Sequence, residues 1–116
     1  MANIQEIQRI ALTEFSHIVI DAFSINYKLR IVLIDNSFID VNLSRTFPDK
    51  FGFHWERKDN IYRYDNFPDT NWSYVSTYPY HFHDGNQNNV IEPPFKLTIY
   101  EGFRDFMEFV KNKIQK

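Results

Sequence analysis

The chain has no cysteine, only three glycines, and no apolar run of the length that spans a bilayer. The first absence excludes a disulfide framework and any Cys-ligated zinc or iron–sulfur centre. A stretch of about 18 apolar residues would be needed for a membrane helix, and none is present. The N-terminal residues also lack the basic-then-apolar order of a signal peptide, so a soluble cytoplasmic protein with no membrane partner is expected. Neither charge sign dominates: 13 Lys and Arg face 15 Asp and Glu, a formal net charge of −2. Such a chain has no global pull toward nucleic acid, and binding RNA would require local cationic groups. Large rings are abundant, with 12 Phe, 7 Tyr and 2 Trp. That content argues against disorder and supplies core area to a short chain. At 116 residues there is room for a single domain, taken here as 1–116.

Apolar residues Ile4, Ile7, Ile10 and Ala11 recur at helical spacing and predict a short amphipathic helix, with Asn3 as its N-cap and Glu6 at the third position. From Ser16 to Thr46 the period becomes two. Ile18, Ile20 and Ala22, then Tyr27 to Leu33, then Ile39, Val41 and Leu43 read as three strands, the last two joined through Ile34-Asp35-Asn36-Ser37. The link Ser24-Ile25-Asn26 fits either a tight turn or a bulged continuation. Phe51 to Asp65 reads as a second hairpin. With Asp59-Asn60 as the turn, His54 would oppose Asp65 and Glu56 would oppose Arg63. One face then carries Phe53, Trp55, Tyr62 and Tyr64, and the other His54, Glu56, Arg63 and Asp65.

Residues 66–97 are aperiodic, with Trp72 to Thr77 the best candidate for an extended piece and Asp84 to Asn89 an exposed turn. Thr98-Ile99-Tyr100-Glu101 has the form of a capping box. It precedes Phe103, Phe106, Met107, Val110 and Ile114 at helical spacing, with Lys111, Lys113 and Lys116 in the closing turns. The fold class is therefore α+β: an antiparallel sheet of about five to six strands with an N-terminal and a C-terminal helix packed on it. Apolar surface in excess of that arrangement suggests a homodimer.

Two short stretches carry candidate chemistry. In Tyr80-His81-Phe82-His83 an extended backbone would set two imidazoles on one side, about 6.6 Å apart. They could form an acid–base pair, ligate a metal, or simply flank a buried Phe82. In Tyr62-Arg63-Tyr64-Asp65-Asn66, Arg63 and Asp65 share a face, which fits a phosphate ligand with its orienting carboxylate or an ordinary surface ion pair.

Together with His54-Trp55 on the preceding strand and Pro93-Pro94 before the last helix, these stretches resemble the TumE toxins of type II toxin–antitoxin systems, over roughly residues 27–114. The resemblance implies a cytoplasmic, ribonuclease-like growth inhibitor held in check by a helix-turn-helix antitoxin. In that chemistry His81 and His83 would be acid and base and Arg63 would bind phosphate. Asp65 would orient a histidine or Arg63, and His54 would be a second base. Asn66, Tyr78 and Tyr80 would contact the RNA, the tyrosines by stacking on bases. That mechanism requires no cofactor. A divalent ion on Asp65, His81 and His83, with Asp84 or His54, is the alternative use of the same residues. Two further functions fit the residues: a non-catalytic protein-interaction domain, and a small metal-dependent phosphoester hydrolase.

Overall fold

The computed structural model describes residues 2–115. Helix α1 (Ile4–Glu14) is followed by strands β1 (Val19–Ile25), β2 (Lys28–Leu33), β3 (Phe38–Leu43), β4 (Phe51–Arg57) and β5 (Asn60–Asp65). A 3₁₀ turn at Thr70–Trp72 leads to β6 (His81–Gly85), β7 (Val90–Ile91) and helix α2 (Ile99–Ile114). The strands form one antiparallel meander of seven in sequence order, against the five to six expected; β7, with two residues, is too short to leave a periodic signature.

Local chemistry explains most of the boundaries. Asn3 caps α1 by accepting from the Glu6 N–H at 2.8 Å. The β1–β2 link is a tight turn in which Asn26 and Tyr27 take φ of 48° and 68°, as two-residue hairpins of strong twist require. A register shift between Val19 and Asp21 breaks the alternation expected of Ile18, Ile20 and Ala22: Ile18, Val19 and Ala22 are buried and Ile20 is exposed. In the second hairpin the turn is Lys58-Asp59, not Asp59-Asn60, because Arg57 pairs with Asn60. Partners consequently move by two: Phe53 opposes Tyr64, Trp55 opposes Tyr62, and His54 opposes Arg63, while Asp65 opposes Gly52. An even shift leaves both faces intact, so the aromatic and ionisable sets stay separate.

The inner face packs Leu29, Ile31, Val41, Phe53, Trp55, Tyr64 and Phe82 against Ile7 and Ile10 of α1 and Phe103, Phe106 and Val110 of α2. Phe53 meets Tyr64 and Phe103 edge-on at 5.9 and 5.3 Å. The Trp55 indole N–H donates to Ser37 Oγ, and the Tyr64 hydroxyl donates to the Lys96 carbonyl. Burial raises the Tyr64 phenol well above its ordinary value, so it stays a donor. The expected capping box at Thr98 does not close, because Glu101 bonds to Arg104, which also grips Glu14 and ties α2 to α1. Lys111 and Lys113 lie in the last turn of α2; Lys116 lies outside the described residues.

At Gly102 α2 comes close to the chain before it and to Tyr64. A Cβ there would stand 2.6 Å from the Lys96 carbonyl oxygen and 3.1 Å from a Tyr64 ring carbon. Gly102→Ala should therefore destabilise the protein by about 1–3 kcal/mol despite alanine's better helix propensity. Urea denaturation checks this, and an unchanged or raised midpoint would contradict it.

Candidate active site

The site is built where β5 pairs with β6. Antiparallel register sets Arg63 opposite His83 and Asp65 opposite His81. Tyr64 and Phe82 alternate to the core face, so these four side chains share the face turned away from the helices. Asp65 Oδ1 lies 3.2 Å from His81 Nε2, and Arg63 Nε donates to Asp65 Oδ2 at 2.7 Å. The Phe67 N–H also donates to Asp65, at 3.1 Å. The two imidazoles stand nearly perpendicular with centroids 5.1 Å apart.

Main-chain carbonyls set the histidine states. His81 Nδ1 lies 2.9 Å from the Pro79 carbonyl oxygen, so both of its ring nitrogens face acceptors and the imidazolium satisfies both. His83 Nδ1 lies 2.9 Å from the Gln87 carbonyl; donating there leaves Nε2 with its lone pair. The electrostatics follow suit. Burial pulls the His81 pKa down, but the hydrogen bond and charge of Asp65 outweigh it and the net direction is up from 6.5. Burial dominates at His83 and carries it below 6.5, with the charge of His81 adding to the fall. Burial pushes Asp65 up, and the His81 bond with the His81 and Arg63 charges overrides it, holding the carboxyl below its usual range.

Asp65, His81 and His83 are 3%, 3% and 2% exposed, whereas the Arg63 side chain is 41% exposed. Trp72, in the 3₁₀ turn, meets the His83 ring at right angles with a centroid distance of 5.5 Å. Trp72 to Thr77 is not the extended piece expected; it is a chain of turns, and the strand of this segment begins at His81. A ring beside a histidine is invisible to periodicity, and the Pro79 and Gln87 contacts are main-chain groups that any residue would supply.

The other candidates lie elsewhere. His54 does not meet Asp65: it sits one strand over, opposite Arg63, with Nε2 3.1 Å from Glu56 Oε1. Asn66 is fully buried, accepting from the Phe51 N–H and donating to the Asp49 carbonyl, so its amide ties β4 to the chain leaving β5. Tyr80 packs toward the core near Phe51 and lines a 590 Å³ groove with Pro48, Leu97 and Tyr100, away from the histidines. Tyr78 is partly exposed. Phe82 is a core residue, the buried ring that the two histidines flank.

Asp65, His81 and His83 each present one possible ligand atom, all within 4.8 Å of one another, and both histidines have Nδ1 held by a carbonyl; Nε2 of His83 is open to a ligand, and Nε2 of His81 would exchange its Asp65 contact for one. A divalent ion fits this donor set; neither Asp84 nor His54 belongs to it. The quartet can thus move protons between two differently tuned imidazoles beside a guanidinium, or hold a cation. No helix among the described residues is long and apolar enough to cross a membrane.

No curated protein and no solved structure matches the chain. A family described as Toxin TumE matches residues 7–114, from α1 to the end of α2, and includes all four residues of the quartet. With nearly its whole length matched, the chain belongs to the TumE toxin family.

Proposed function

We propose that this toxin is an RNA-cleaving growth inhibitor whose reaction runs on His83, His81 and Arg63. The observation that carries the reading is the opposite tuning of two adjacent imidazoles beside one carboxylate and one guanidinium. His83 Nε2 takes the proton of a ribose 2′-hydroxyl as that oxygen forms a bond to phosphorus. His81 gives its proton to the departing 5′-oxygen as the P–O5′ bond breaks, leaving a 2′,3′-cyclic phosphate and a free 5′-hydroxyl. Arg63 holds Asp65 through Nε and offers its Nη groups to the non-bridging oxygens. Burial of both imidazoles, that of His83 against Trp72, limits water around the charges and strengthens them. RNA approaches from the exposed side of Arg63. A cognate antitoxin, proposed as a helix-turn-helix protein, is the partner the family suggests.

The pH dependence follows from the two directions. The base must be unprotonated, so activity rises with pH through the His83 pKa, below 6.5; the acid must be protonated, so activity falls through the His81 pKa, above 6.5. The kcat/KM for a dinucleotide should be bell-shaped with its plateau across 6.5. A rate that only rises toward alkaline pH would remove His81 as the acid.

The carbonyl-anchored histidines and Asp65 favour a second reading, a metal-dependent phosphoester hydrolase. Cleavage that survives EDTA supports the acid–base reading. Cleavage lost in EDTA and restored by a divalent ion supports the metal.

A further inference from the structure

Cross-strand register extends the site beyond the quartet. Asp40 opposes His54, His54 opposes Arg63, and Arg63 opposes His83, so four ionisable residues form one row across β3 to β6. A parallel row runs Asn42, Gly52, Asp65, His81. With neighbouring strands about 4.8 Å apart, Asp40 lies about 10 Å from Arg63 along the row. Between the rows is a 220 Å³ notch lined by Asp40, Asn42, Gly52, His54 and Arg63. Gly52 forms part of its wall, where the missing side chain leaves the space between Arg63 and the β3 residues open.

The polar capacity of this notch is largely unspent. The Asn42 side chain is exposed and makes no hydrogen bond among the described residues. His54 Nδ1 has no partner among them either, and of the Arg63 nitrogens only Nε is used. Asp40 takes Lys28 Nζ at 2.9 Å and Arg30 through Nε and Nη2 at 2.9 and 3.1 Å. Three donors on a carboxylate with about four acceptor sites leave one site free. Partial burial pushes the Asp40 carboxyl up, but the Arg30 and Lys28 bonds prevail and keep it an anion. Polar groups left unpaired beside a reactive centre are the means by which sites reject ligands lacking the complementary group.

We infer that this notch is the base-recognition subsite of the toxin, taking the nucleobase next to the bound phosphate and selecting bases that carry an exocyclic amino group. The inference rests on the RNA-cleaving reading for its purpose. The free Asp40 acceptor site receives an amino N–H of cytosine, adenine or guanine, and the adjustable Asn42 amide pairs with the neighbouring ring group. Uracil offers a carbonyl in place of the amino group and would meet the carboxylate acceptor to acceptor. His54 thereby walls the subsite and is not the second base.

The test uses the full chain and four nucleoside 3′-monophosphates, followed by NMR of the His54 ring and the Asn42 side-chain amide, a readout that needs no cleavage. CMP, AMP and GMP should bind about tenfold more tightly than UMP, the worth of one hydrogen bond. Asn42→Ala, at an exposed position, should weaken binding of the amino-bearing nucleotides more than that of UMP and so narrow the preference. Asp40→Asn, which offers an amide donor to the uracil carbonyl, should erase or reverse the preference. Equal binding of all four nucleotides, or signals that shift away from the notch, would overturn the proposal. Selective binding by a protein that cleaves no RNA would keep the subsite and remove the ribonuclease reading; cleavage with no base preference would do the opposite.

Discussion

His83→Ala and His83→Asn are both expected to abolish growth inhibition and to lower RNA cleavage by about 10²–10⁴-fold, the usual worth of a positioned general base. The pair separates chemistry from folding. His83 is held through Nδ1 by the Gln87 carbonyl and edge-on by Trp72. Asparagine presents its amide N–H2 near the position of Nδ1, so it preserves the Gln87 contact while removing the lone pair at Nε2. A folded, inert His83→Asn protein, judged by unchanged near-UV circular dichroism, is the expected outcome. Full toxicity in that variant would exclude His83 from the reaction. Arg63→Ala should be equally inactive, whereas Arg63→Lys keeps charge but loses the two-pronged grip on phosphate and should recover only part of the activity.

Asp65→Ala is expected to be the most destabilising change in the site, by about 3–5 kcal/mol, because it leaves a buried imidazole without its counter-charge. The cost should depend on pH. Asp65 has a lowered pKa, so its contribution is present above its ordinary 3.8 and is lost as pH falls through the lowered value. His81 has a raised pKa, so its contribution is full below 6.5 and is lost as pH rises through the raised value. The difference between wild type and variant should therefore be greatest between about 4 and 6.5 and shrink toward alkaline pH. With the carboxylate gone, burial and the Arg63 charge are opposed only by the Pro79 carbonyl, and the His81 titration should move down. Urea denaturation across pH and NMR titration of the His81 ring measure both effects; a stability difference independent of pH would mean that the pair is not ionic.

Much of this architecture was readable from residue order, because strong alternation and long aromatic runs declare their faces. Phe53, Trp55, Tyr62 and Tyr64 fell on the core side, and His54, Arg63 and Asp65 on the other, even though the register differed by two. That difference arose because Lys58, Asp59 and Asn60 all tolerate turns and only the cross-strand packing chooses among them: Trp55 lies 5.2 Å from Tyr62, centroid to centroid. Ile20 was misassigned because a bulge alters the alternation without changing composition. The pairing of β6 with β5 joins residues some 20 positions apart, and its strand carries a polar outer face in a segment rich in turn residues. Sequence could place His81 and His83 on one side of a strand, but not bring Asp65 to within 3.2 Å of His81. The Thr98 cap does not form: Glu101 bonds to Arg104 one turn on within α2, and Arg104 is also held by Glu14, a contact that depends on the meeting of two helices.

Proton transfer by two oppositely tuned histidines at a phosphodiester leaves its mark in the chemical end produced when purified toxin is incubated with single-stranded RNA in EDTA near pH 6.5. A 2′,3′-cyclic phosphate produced by the wild type and absent with His83→Asn is the predicted result. Intact RNA in EDTA that is cut once a divalent ion is added, leaving a 5′-phosphate, would contradict it.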